Sequence, residues 1–156
     1  MKTESKIIQN AVLLEEYRKL LQEVDAVEAL PLLISGNSMS PFLIHGRDTV
    51  YLSRLERPVR RGDMLLYQRR NGSYVLHRVY AVKPEGFTMV GDAQTVLEKG
   101  IEPDQVIAIV TQVARKNTII TPECFWWKFF ERVWIRMIPF RNFFCAAYAR
   151  VKHFVR

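Results

Sequence analysis

The sequence predicts a mainly β protein, an antiparallel coiled sheet or partly open barrel flanked by an N-terminal amphipathic helix and C-terminal helices. Three observations predict it. Between about Leu32 and Pro122, apolar and polar residues alternate in short runs separated by Gly, Pro and Asn turns. No helix-length pattern interrupts these runs, which favours antiparallel pairing over βαβ units. On both sides of this region the apolar period lengthens to three or four residues. Three segments follow: residues 1–30 as an amphipathic helix, 31–122 as the β domain, and 123–156 as a basic aromatic helical tail.

In the first segment, from about Glu4 to Leu30, Leu13, Tyr17, Leu20, Val24 and Val27 form one stripe, with Glu15, Glu16, Arg18, Lys19 and Glu23 between them. Pro31 lacks the amide a helix interior needs and closes the pattern. The predicted strands are Asp48 to Ser53, Asp63 to Gln68, Ser73 to Val82, Phe87 to Val90 and Val106 to Ala114, with Asn71-Gly72 marking a hairpin turn. After Pro122, Lys128, Arg132 and Arg136 share one helical stripe. Phe125, Trp126, Phe129, Phe130, Val133 and Met137 fall mostly elsewhere, until Pro139 breaks the helix. A second basic helix is expected from Arg141.

Composition bounds the function. The 156 residues are 49% hydrophobic and a quarter charged, too apolar for a disordered chain and long enough for a real core. The net charge of +7 is uneven: residues 123–156 hold seven Lys/Arg against Glu123 and Glu131, or +5, leaving 16 basic against 14 acidic residues, +2, for residues 1–122. The same tail carries eleven of the eighteen aromatics. Two cysteines, Cys124 and Cys145, make neither a disulfide framework nor a four-ligand zinc site, so a reducing compartment, no metal and no cofactor are expected. Lys2, Glu4 and Lys6 precede only eight uncharged residues, which is not a secretory signal, and no stretch suits a bilayer span. The expected location is the cytoplasm.

Chemistry concentrates in Leu32-Leu-Ile-Ser-Gly-Asn-Ser-Met-Ser-Pro41. Small polar residues at Ser35, Gly36, Asn37 and Ser38 between apolar runs let the backbone turn tightly, presenting a hydroxyl beside free amides, as a serine nucleophile and oxyanion hole require. An ordinary Ser-rich turn would look the same. A nucleophilic serine needs a base, and of His45, His77 and His153 only His77 lies in a strongly β-patterned run, on the apolar face with Val75, Val79 and Ala81. Burial there keeps the imidazole neutral, although a core histidine bonded to a carbonyl gives the same pattern. Gly62-Asp63, Gly91-Asp92 and the looser Gly46-Arg47-Asp48 are turn pairs by default. Asp92 is the best placed to orient His77.

Taken in order, Ser38-Met39-Ser40-Pro41, Arg61-Gly62-Asp63-Met-Leu-Leu-Tyr67, Val75-Leu76-His77-Arg78-Val79 and Gly91-Asp92 resemble the successive boxes of the type I signal peptidase and LexA-like serine peptidase superfamily, over residues 31–115. His77 stands where many members carry lysine, as in the His-base branch. The resemblance implies a signal-peptidase-like β domain. It also implies Ser38 as nucleophile, His77 as general base and Asp92 as the acidic residue of the third box. The Ser38 amide would form part of the oxyanion hole, with Ser35, Gly36, Asn37 and Met39 forming the adjoining oxyanion and substrate-binding stretch. Gly36 replaces the serine many members have two residues before the nucleophile. Ala108 replaces a frequent glycine, and no second aspartate appears near Val96 to Lys99. A charged amphipathic helix stands where signal peptidases carry a membrane anchor.

The expected activity is therefore a serine endopeptidase with a Ser-His dyad, acting on an extended peptide and removing leaders from ribosomally made precursors. The alternative is a non-catalytic peptidase-like module that binds a peptide, a partner or a membrane surface. For the tail, the expected partners are the protein's own sheet, a second copy in a homodimer, or peripheral contact with the inner face of the membrane. The near charge balance of the β region and the lack of a preceding helix-turn-helix pattern speak against nucleic acid.

Overall fold

The protein is described here from a computed structural model covering residues 14–21 and 29–144. Eight antiparallel strands form one sheet: β1 (Leu30–Leu33), β2 (Asp48–Ser53), β3 (Met64–Gln68), β4 (Tyr74–Lys83), β5 (Gly86–Val90), β6 (Glu98–Ile101), β7 (Val106–Arg115) and β8 (Thr118–Ile120). The order is β1-β2-β7-β3-β4-β5-β6, with β8 added to β7. β3 is therefore central, and its residues Met64 to Tyr67 are all buried, which explains an apolar run with little alternation. Register shifts interrupt β2/β7, β3/β7, β4/β5 and β5/β6. Such irregularities increase local twist and bend, consistent with a coiled sheet.

The two faces of β3 separate two cores. Met64 and Leu66 join Val50, Leu52, Ala108, Val110, Met39, Phe42, Leu43 and the tail residues Trp127, Phe130 and Trp134. Leu65 and Tyr67 join Val79, Met89, Ile101 and Ile109. Residues 14–21 are helical (α1), and Leu14 and Leu21 complete the first core. Tyr17 donates to the Pro31 carbonyl (2.6 Å), Arg18 to Gln68 (3.1 Å), and Tyr74 to Glu15 (2.7 Å), which ties α1 to β1 and to the β3–β4 hairpin. The remainder of the helix expected over Glu4 to Leu30 lies mostly outside the described residues. Leu30 itself belongs to β1, because Leu30 to Leu33 pair with Leu52 to Thr49.

All five predicted strands are present, and β1, β6 and β8 were missed by sequence pattern. These three are only three or four residues long, and β1 and β6 contain Pro31 and Gly100, so periodicity has little to act on. In the tail, α2 (Phe125–Arg132) gives way to single 3-10 turns at Trp134–Arg136 and Ile138–Phe140, the latter beginning around Pro139. Residues 141–144 are again helical, where the second basic helix is expected, and the rest of that segment lies outside the described residues. Cys124 is a free thiol, and Cys145 lies outside the described residues. Among the described residues no helix is long and apolar enough to cross a membrane.

Candidate active site

Ser38 sits in the turn that links β1 to β2. Asp48 anchors this loop from inside: its buried carboxylate accepts from the Ile44 amide (3.0 Å), from Arg47 (2.8 and 2.9 Å) and from Arg115 (3.1 and 3.0 Å). Burial alone would raise the Asp48 pKa, but the bonds from Arg47, Arg115 and Ile44 bring it down to about 2. Asp48 is thus structural, and so is Asp63, which binds Arg57 and the Arg60 amide. His45 accepts the Gly36 amide on Nδ1 (3.1 Å) and so braces the turn before Ser38.

Across from this loop, the β3–β4 hairpin carries His77. Arg69 and Ser73 close a loop of Arg70, Asn71 and Gly72, with Gly72 in the left-handed region at φ 85°. The resulting register sets His77 opposite Leu65 and diagonal to Tyr67 on one face. Arg78, on the other face, is fully buried, which sequence alternation did not anticipate.

Ser38 and His77 line one cavity of about 230 Å³, together with Ser35, Gly36 and Met39 from the Ser38 loop and Leu76 from β4. Asn37 is not part of the lining; it is exposed, and its carbonyl accepts the Ser40 amide (3.1 Å). Met39 lines the cavity with one edge and is otherwise buried in the first core. Among the described residues, neither the Ser38 hydroxyl nor the Ser38 amide carries a hydrogen bond, so both remain available to a substrate. The Ser38 hydroxyl is therefore not bonded to His77. Catalytic hydrogen bonds of this kind commonly tighten only when substrate is bound.

Asp92 does not orient His77. Its carboxylate accepts Arg78 Nε (3.0 Å) and Nη2 (2.9 Å) in a pair with both side chains at 0% exposure. Arg78 Nη1 donates to the Gly62 carbonyl (2.9 Å), so the pair joins the two Gly-Asp turns. The expectation fails because Arg78 reaches Asp92 through the core on the face of β4 opposite to His77. The neighbouring Gly91 has a different function. A Cβ at that position would meet the Ser38 carbonyl at 2.5 Å, so glycine lets the Ala93 amide reach that carbonyl (2.8 Å) and fix the back of the Ser38 loop.

His77 is instead held by Tyr67, Glu98 and Arg69, none of which the sequence had suggested as site residues. Arg69 binds Glu98 with two bonds of 2.7 Å, and this pairing holds the Glu98 carboxyl below its usual range. Tyr67 donates its one proton to Glu98 Oε2 (2.7 Å); burial and the Glu98 charge raise the phenol pKa strongly, so the proton stays. The Tyr67 oxygen also lies 3.2 Å from His77 Nδ1. With its proton committed to Glu98, Tyr67 can only accept there, so His77 carries hydrogen on Nδ1 and leaves the Nε2 lone pair free. That is the tautomer a general base requires.

Two results are expected from this arrangement. Tyr67→Phe removes the acceptor for Nδ1–H; nitrogen-15 NMR of the imidazole should change from a single Nδ1–H form to a mixture, and any His77-dependent turnover should fall about tenfold. Glu98→Gln keeps an acceptor for Tyr67 and should have the smaller effect. An unchanged tautomer in Tyr67→Phe would count against the relay.

The second result concerns pH. Burial pushes His77 from 6.5 down to about 4, and the Glu98 charge opposes this only in part. The unfolded chain therefore binds a proton below about 6.5 that the folded chain refuses until about 4. Stability attributable to neutral His77 is complete above 6.5 and is lost as pH falls through this window, by about 3 kcal/mol in all. Urea denaturation should show that slope in the wild type and a flatter one in His77→Gln.

Among the described residues no cluster of three His, Cys, Asp or Glu side chains is arranged to hold a metal ion. In comparisons with known proteins, no family model matches the chain, and neither does any curated protein.

Proposed function

We propose that the chain is a serine endopeptidase in which Ser38 attacks the scissile carbonyl while His77 takes its proton and returns it to the leaving amine. One observation carries the reading: Ser38 and His77, 39 positions apart in sequence, line the same cavity, with the serine amide and hydroxyl both unbonded among the described residues. The Nδ1–H tautomer of His77 supports it, as does the resemblance of the Ser38, His77 and Gly91-Asp92 segments to the signal-peptidase and LexA-like boxes.

The substrate we infer is an extended peptide. β1 is a sheet edge, and β5 pairs with β4 only from Arg78 onward, so Tyr74 to His77 have no strand on that side among the described residues. Past Pro31, whose carbonyl Tyr17 occupies, these two edges flank one cavity and suit β-strand addition, in which main-chain bonds hold the peptide and pockets select its side chains. Leader removal from a ribosomally made precursor is one use consistent with this mode.

A fluorophosphonate probe tests the chemistry without knowledge of the substrate. Wild type should label at Ser38, identified by peptide mass mapping, and Ser38→Ala and His77→Ala should not label. Wild type that stays unlabelled while correctly folded would favour the non-catalytic peptide-binding module.

A further inference from the structure

The tail splits its aromatics between two environments. Trp127, Phe130 and Trp134 are buried against the sheet, with Phe130 4.9 Å and Trp127 5.9 Å from the Phe42 ring. Phe125 (71%), Trp126 (59%), Phe140 (62%) and Phe143 (74%) face solvent, together with Val133 and Phe144. The exposed rings are not scattered. A chain of contacts at 5.4–6.0 Å runs from Phe125 to Trp126, Phe129, Phe130, Trp134, Phe144 and Phe143, one aromatic strip whose middle rings are buried and whose two ends are open.

Cations border the strip. At about 100° per residue, the outer face of α2 runs Lys128, Arg132, Phe125, Phe129, Val133 and Trp126, placing both cations along one edge of an apolar sector. Arg136 is exposed in the following turn. Among the described residues none of these three cations forms a salt bridge; Glu123, before the helix, acts on Lys128 only through its charge, and Glu131 is set against Gly62. Arg141 takes no part, since it is buried and bonded to the carbonyls of Gly91, Gln94 and Trp134.

We infer that this strip docks the protein on an anionic lipid surface, with Phe125, Trp126 and Phe143 entering the headgroup region and Lys128, Arg132 and Arg136 meeting lipid phosphates. Bulky exposed rings on a helix flanked by exposed cations without salt bridges suit an interface that is apolar below and anionic above. A second copy fits less well: a two-fold interface pairs the face with itself, and the outer face of α2 carries no carboxylate to meet these cations. The inference stands whether or not Ser38 is a nucleophile.

The experiment uses the full chain and vesicles of phosphatidylcholine with or without phosphatidylglycerol. Sedimentation with the anionic vesicles alone is expected, weakening as salt is raised. Replacing both Phe125 and Trp126 with Ser should abolish it. Lys128→Gln and Arg132→Gln should each weaken it about fivefold, the effect of about 1 kcal/mol per cation near an anionic surface. All four positions are exposed, and circular dichroism and a melting curve check that each variant is folded. Equal binding to neutral vesicles, no binding to either, or unchanged binding by the Ser double variant would overturn the inference. So would a dimer, or binding to a single-stranded RNA oligonucleotide, lost on the same substitutions while vesicle binding is absent.

Discussion

Ser38→Ala is expected to lower cleavage of a mixed library of internally quenched peptides by about 10⁴–10⁶-fold while leaving the melting curve unchanged. The hydroxyl bonds to no described residue, so its loss leaves no buried partner unsatisfied and creates no cavity in either core. His77→Ala should fall by a similar factor, and the double variant should be scarcely worse than either, because nucleophile and base act as one unit. Additive losses would mean that the two residues do not share a step. A Ser38→Ala protein that still cleaves at wild-type rate would remove Ser38 from the chemistry altogether.

The largest stability effect is expected at Asp92, which sequence reasoning had placed beside His77 and which pairs instead with Arg78. Asp92→Asn should cost about 3–5 kcal/mol, because the Arg78 guanidinium is left uncompensated at 0% exposure. That is a large part of the 5–15 kcal/mol that typically holds a domain together. Replacing both partners by apolar residues, Arg78→Met with Asp92→Leu, should recover much of the loss, although the bond to Gly62 and the stacking over Phe42 at 5.2 Å are also given up. In whichever of these variants remains folded, the His77 tautomer should be unchanged by NMR. A shift to the other tautomer would restore Asp92 as a partner of His77.

The same residues mark where the sequence was readable. Strands with five or more residues and a buried face announced themselves, as did His77 on an apolar face of β4. The Tyr67–Glu98 support did not. Reading Asn71-Gly72 as a two-residue turn would set His77 opposite Leu66 and send Tyr67 to the other face, whereas the three-residue loop shifts the pairing by one and brings Tyr67 beside the imidazole. Glu98 lies in β6, four residues with Lys99 and Gly100, and its place beside Tyr67 comes from sheet order, which no local pattern carries. Asp92 was misassigned for a related reason. Alternation identified the face Arg78 occupies and gave no sign that a guanidinium on that face would be drawn fully inside.

The contacts of the C-terminal segment with the turn after β5 bear on how the molecule can be cut. Trp134 Nε1 donates to the Asp92 carbonyl (2.8 Å), and Arg141 bonds the carbonyls of Gly91 and Gln94 (2.8 and 2.9 Å). The Ala93 amide in that same turn holds the Ser38 carbonyl. Hydrogen bonds at both ends, joined by the backbone of the 91–94 turn, thus connect Arg141 to Ser38. Shortening the chain before Arg141 removes the side chain that braces the turn behind Ser38, so the minimal unit that preserves the Ser38 loop extends well past the β region, and a truncation at Pro122 would loosen that loop and remove the aromatic strip.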